Sequence, residues 1–180
     1  MNALHFLITT LFGLYLMAIV LRFWLQAVRA DFYNPLSQFI VKITNPLVKP
    51  LQTILPNVKN WNFAALVAAI IVAAGKFFVL ALVFSQPVNP AGFVIVGAIS
   101  VVYEFLNIAF WVLIIRAILS WFSQGGYNPA EQILVQLTEP LVSPIRKVLP
   151  PMGGLDFSVL VAIIAIQFVK LLLSDLFGGF

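Results

Sequence analysis

Apolar positions in this chain fall in long unbroken runs rather than in the one-faced stripes of a soluble helix. Four runs, roughly 3–28, 61–84, 92–122 and 155–177, are each long enough for the ~20 helical residues that cross about 30 Å of hydrocarbon. The fourth carries a single charge in its central part, Lys170. Two less apolar segments, 29–60 and 123–154, lie between the members of each pair. The first run lacks a basic leader and a small-x-small end, so it reads as a retained span rather than a cleaved signal peptide. The pattern predicts an all-α membrane protein with four transmembrane helices.

The intervening segments have a different period. Asn34-Pro35 and Asn128-Pro129 read as an N-cap followed by proline at the first helical position. Leu36, Phe39, Ile40, Ile43 and Leu47 then recur at helical spacing, as do Ala130, Ile133, Leu134, Leu137 and Leu141. Ser37, Gln38, Lys42, Thr44 and Asn45 fall on the opposite side. Each segment therefore predicts an amphipathic helix, too short and too polar to span. A second apolar set follows in each, and Pro50 and Pro144 are expected to break or restart the helix there. Nine of the eleven prolines lie in these two segments, which therefore carry most of the specified geometry. The loop helices would lie in the membrane interface, or dip back as re-entrant hairpins if protein or water covers them.

The two halves match. Shifting the sequence by 94 places aligns Arg22 with Arg116 and continues without a gap to about Leu82 and Leu176. Roughly a third of the positions are identical, including Thr44/Thr138, Pro46/Pro140, Pro50/Pro144, Pro56/Pro150 and Lys76/Lys170. Chance could match Leu with Val between two apolar sequences. It would not align prolines, an intramembrane Arg and an intramembrane Lys in one register. The expectation is two parallel repeats related by an axis along the membrane normal: residues 1–88 with spans 3–28 and 61–84, and residues 89–180 with spans 92–122 and 155–177.

Composition agrees with the spans. Apolar residues make up 62% and charged residues 9%, against ~45–50% and ~25% in an ordinary globular domain, which excludes a soluble fold. The net charge of +4 comes from basic residues scattered among apolar runs. They form no groove-sized patch, so nucleic acid is not an expected partner. They read instead as orientation signals. Segments 29–60 and 123–154 hold six Lys and Arg, and the opposite side holds none, so both loops should face the cytoplasm and both termini the periplasm. Lys42, Lys49, Arg146 and Lys147 would then sit near anionic lipid head groups, worth about 1 kcal/mol each. The absence of cysteine excludes thiolate metal sites and disulfides. No Ser-His-Asp set, P-loop, paired carboxylates or metal cluster is present, so no enzyme and no cofactor is expected.

Five charges lie well inside the spans, away from the end positions Asp156 and Asp175. Arg22 and Arg116 either snorkel to head groups, or bind carbonyls freed by the loop prolines, or line an anion or ion pathway. Lys76 and Lys170 either snorkel outward or pair with Glu104, which lies ~18 Å from Arg116 along its helix. A carboxylate paired with a lysine could also relay protons.

The pattern Arg…Tyr-Asn-Pro…Thr-x-Pro-Leu-Val-x-Pro…Leu-Pro, present twice, resembles the YggT family of bacterial integral membrane proteins. DFYNPLSQFIVKITNPLVKP and SPIRKVLPPMGGLDFS are especially similar to gammaproteobacterial two-repeat members. The resemblance implies an inner-membrane location and a link to osmotic-stress tolerance and ion homeostasis. Gram-positive and cyanobacterial relatives are associated with division or nucleoid organisation, and single-repeat chloroplast relatives with haem attachment to cytochrome b6. It carries no defined catalytic site. Two functions are therefore weighed. One is a membrane scaffold or assembly factor that contacts other membrane proteins or its own copies. The other is a small oligomeric channel or transporter for ions or osmolytes. Few polar groups lie within the spans, which favours the scaffold.

Overall fold

The computed structural model describes residues 2–56, 59–122, 128–149 and 157–177, the last two residues of the third span by backbone alone. Among these, the chain forms six helices: α1 Ala3–Ala27, α2 Pro35–Ile54, α3 Phe63–Val83, α4 Pro90–Phe122, α5 Pro129–Val148 and α6 Phe157–Phe177. Four of them, α1, α3, α4 and α6, are long and apolar enough to cross a membrane. Their bounds fall within two residues of the four apolar runs, because end signals coincide with changes in hydropathy. The Asn62 side chain accepts from the Ala65 amide at 2.9 Å and so caps α3.

The ends of α1 and α3 next to the following segments share a geometry. At the first, the Ala30 amide donates to the Leu25 carbonyl and Arg29 sits at φ 56°. At the second, the Gln86 amide donates to the Ala81 carbonyl and Ser85 sits at φ 52°. Both are Schellman closures, with a left-handed residue where glycine is usual.

α2 and α5 differ from expectation in two ways. Each begins as foreseen at an Asn whose side chain accepts the amide two residues on, Leu36 or Ala130, at 3.0 Å. Pro50 and Pro144, however, do not break the helix; α2 continues through Pro46 and Pro50, and α5 through Pro140 and Pro144. All four prolines lie on exposed sides of their helices. In α2 the carbonyls left without amide partners belong to Lys42 and Pro46, which are also exposed, so solvent or head groups can serve them. The opposite face, with Thr44 and Val48, or Thr138 and Val142, is fully buried and holds the helix in place. Pro56 follows α2 and is exposed, whereas Pro150 lies outside the described residues.

The second correction concerns the faces of α2. Ser37 and Thr44, expected on a solvent side, are buried against the bundle at 3% and 0% exposure. Leu36, Phe39 and Ile43 point outward instead. The helix thus has three faces: a bundle face through Ser37, Thr44 and Val48, an outward apolar face, and a polar face through Gln38, Lys42 and Lys49. A two-faced reading merged the first with the third.

The main core gathers Leu16, Ile19 and Trp24 of α1, the small residues of α3, and Val101, Ile108 and Ala109 of α4. A smaller cluster joins Leu113, Val142, Val159 and Ala162 from α4, α5 and α6. Ala65, Ala69 and Ala73 recur every four residues on the buried face of α3, which lets α1 and α4 approach closely. Trp24 is turned inward against the Phe105 ring, 4.8 Å between centroids. α2 and α5 lie on the same side of the bundle. The Asn34 amide donates to the Pro129 carbonyl at 2.7 Å, and Gln136 Oε1 accepts from the Asp31 amide at 3.0 Å. His5 and Phe84 meet at the other end, 5.7 Å between ring centroids.

Candidate functional site

The two intramembrane arginines each reach from a span into the loop helix that follows. Arg22 projects from the last two turns of α1 and is 7% exposed. One of its terminal nitrogens lies 2.9 Å from Thr44 Oγ1, 2.9 Å from Asn45 Oδ1 and 3.3 Å from the Val41 carbonyl. Thr44 in turn donates its hydroxyl to the Ile40 carbonyl at 2.6 Å, which aims its lone pairs at the guanidinium. Arg116 of α4 bonds Thr138 Oγ1 at 2.5 Å and Glu139 at 3.3 Å. Glu139 is shared, because Arg146, two helical turns further along α5, also reaches it at 2.8 Å. Thr138 donates to the Leu134 carbonyl at 2.6 Å, as Thr44 does to Ile40.

Neither clamp uses a proline-freed carbonyl. The partners are mostly side chains, since the prolines face away from the arginines. Burial and several acceptors hold each guanidinium in the protein, where a snorkelling side chain would reach outward. Placed at the junction of span and loop helix, each clamp fixes the angle at which the loop helix leaves the bundle. A charge-assisted hydrogen bond in such a setting contributes about 1.5–3 kcal/mol.

The deeper charges are arranged more loosely. Lys170 of α6 donates to Asn107 Oδ1 on α4 at 2.9 Å and lies 5.4 Å and 5.1 Å from the Tyr103 and Phe110 ring centroids. Lys76 of α3 lies 4.6 Å from the ring centroid of its neighbour Phe77. Glu104 is half-buried within electrostatic reach of both lysines, but no ion pair within 4 Å joins it to either among the described residues. No group of three or more His, Asp or Glu able to hold a metal occurs among the described residues.

Three participants escaped the sequence reading. Glu139 has Asn45 at the position 94 earlier, so it bore no repeat signal, although its spacing to Arg146 is two helical turns. Asn107 stands one turn from Glu104 on α4 and was the nearer partner for Lys170. Asn62 is fully buried, caps α3 and donates to Gln26 Oε1 at 2.8 Å, tying the adjoining ends of α1 and α3.

A family model described as CCB3/YggT matches residues 1–83 and again residues 95–177. The chain belongs to the CCB3/YggT family. The protein encoded in the proC 3′ region of Vibrio alginolyticus is 49% identical over 180 residues, covering 99% of this chain and 97% of its own length. YggT of Escherichia coli strain K12 is 38% identical over 172 residues, covering 95% of this chain and 89% of its own. The ycf19 protein of Guillardia theta is 30% identical over 73 residues, covering 40% of this chain and 80% of its own. No solved structure matches. For a CCB3/YggT chain, the two matched stretches each contain one span arginine, one proline-containing loop helix and two apolar helices long enough to span.

Proposed function

We propose that this multi-pass membrane protein acts as a non-enzymatic scaffold or assembly factor of the bacterial inner membrane, linked to osmotic-stress tolerance and ion homeostasis. Its two matched stretches are read as duplicated parallel repeats, with the loop helices at the cytoplasmic interface and both termini in the periplasm. The observation that carries the scaffold reading is how the polar groups within the membrane are used. Arg22, Arg116 and Lys170 each bond a neighbouring helix of the same chain, so they brace the bundle. Such ties stiffen a platform rather than wet a path. The outer surface of α6, with Phe168, Leu172 and Leu176 exposed, offers lipid, another membrane protein or a second copy a wide apolar contact.

A second reading, a small oligomeric ion or osmolyte channel, has one favourable observation. Glu104, Lys76 and Lys170 gather at mid-depth without closing into a short ion pair. Two measurements separate the readings. Photo-crosslinking residues placed at Phe168 and Leu172 in growing cells should give discrete adducts with other membrane proteins or with copies of the chain. Potassium flux through proteoliposomes should match protein-free vesicles. Flux above that background, lost in Glu104→Gln, would establish the channel instead.

A further inference from the structure

A cavity of about 470 Å³ opens on the loop side between the adjoining ends of α1 and α3 and the start of α2. At ~30 Å³ per water, its volume equals that of about 15 waters, enough for a phosphate and its ester substituents. Two cations, Arg29 and Lys59, line it, and neither has an acid within 4 Å among the described residues. Asp31 does not line it; its carboxylate accepts the Tyr33 amide at 2.9 Å. Ser37 stands beside it at 3% exposure, its Oγ buried without a hydrogen-bond partner. Asn60 adds an amide, and Leu25 and Phe32 supply an apolar wall.

The backbone sharpens the case. Arg29 and Lys59 are both left-handed, at φ 56° and 54°. Long side chains rarely take that conformation, which glycine and asparagine adopt far more readily. At Arg29 it belongs to the Schellman closure of α1, and together the two left-handed residues set the Arg29 and Lys59 side chains beside one concavity. The positions 94 places on carry Ser123, Gly153 and, for Ser37, Glu131. The second half thus has neither cation and an acid instead of the hydroxyl, so repeat geometry alone does not demand this set.

We infer that Arg29 and Lys59 form a binding site for the phosphate of an anionic phospholipid head group. The cations neutralise the phosphodiester, and Leu25 and Phe32 lie where the acyl chains begin. Basic pockets at helix ends recognise anionic head groups in this way. The site rests only on the loop side of the bundle lying at head-group level, and it stands whether the protein is a scaffold or a channel.

The test uses the full chain in neutral detergent, with melting followed by tryptophan fluorescence. Dioctanoyl phosphatidylglycerol should raise the melting temperature by several degrees. Dioctanoyl phosphatidylcholine, and sodium phosphate at matched ionic strength, should not. Arg29→Asn with Lys59→Asn removes both cations while keeping a residue type that accepts the backbone. That double variant should melt no lower than the parent without lipid and should lose the phosphatidylglycerol shift. Lys42→Gln with Lys49→Gln removes the same charge from the polar face of α2 and should keep it. If the asparagine variant does not fold, Arg29→Gly with Lys59→Gly gives the same comparison. A shift absent from the parent, or equal in the parent and the cation-free variant, overturns the site. A shift with sodium phosphate as large as that with phosphatidylglycerol overturns the lipid as its occupant.

Discussion

At the scale of the residue, the two arginines look equivalent in sequence and are not equivalent in space. Arg22 serves three acceptors from one terminal nitrogen, whereas Arg116 uses two nitrogens for Thr138 and Glu139. A lysine can present several donors from a single point but cannot copy a fork. Arg22→Lys should therefore be milder than Arg116→Lys, and Arg22→Met should be worse than Arg22→Lys. The methionine leaves Asn45 and the Thr44 lone pairs with no donor, at about 1–3 kcal/mol per buried orphan. Thr44→Val should cost a similar amount, because it leaves the buried guanidinium one acceptor short. Melting of the four variants in detergent checks the order; equal effects of Arg22→Lys and Arg22→Met would show that shape, not hydrogen bonding, sets the stability. The arginines were legible because register singled them out. Glu139 was not, since a carboxylate opposite Asn45 breaks the repeat. Ser37 was misread because hydroxyl and lysine both count as polar, although only the hydroxyl fits against a bundle.

At the scale of the helix, hydropathy and end signals located all four spans, while proline misled inside the loop helices. The rule that proline ends a helix describes a cost of ~3 kcal/mol, and packing can exceed it. In α2 the buried Thr44 and Val48 oppose exposed Pro46 and Pro50, so the cost falls on the side where other acceptors can be found for freed carbonyls. The third face of α2 was also hidden, because two apolar faces at an angle look like one broad one. Close packing between α3 and α4 makes a sharper prediction. A methyl group on Gly97 would lie 2.9 Å from the Ala74 amide nitrogen and 3.3 Å from its Cα, and that backbone cannot move aside cheaply. On Gly13 it would meet nothing within 4 Å. Gly97→Ala should destabilise by about 1–3 kcal/mol through overpacking. Gly13→Ala should be neutral or stabilising by up to about 1 kcal/mol, as expected for alanine over glycine in a helix. Paired melting curves decide it, and a tolerated Gly97→Ala would mean that α3 and α4 are not in this close contact.

At the scale of the molecule, the halves are alike in pattern and unlike in packing. α1, α3 and α4 share the larger core, while α6 touches little beyond α4 and α5 and leaves most of its surface outward. Sequence could not show this, because lipid-facing and helix-facing positions in a span are equally apolar. Sidedness is different, being written in charge. α2 and α5 meet through Asn34 and Pro129, so both loop helices are on one side, and the turn between α3 and α4 is with the start of α1 on the other. Only one of the two insertions puts the six loop cations in the cytoplasm, where Lys and Arg are retained during insertion. Since the chain has no cysteine, single cysteines report cleanly. In intact cells with a permeabilised outer membrane, Val88→Cys, exposed in the α3–α4 turn, should react with an impermeant maleimide. Lys49→Cys and Arg146→Cys should react only after the inner membrane is opened. Labelling at Lys49 from outside, with Val88 protected, would invert the topology. It would also move the Arg29–Lys59 cavity to the periplasmic leaflet. Labelling of all three from outside would mean that the loop helices reach through the bilayer rather than along its surface.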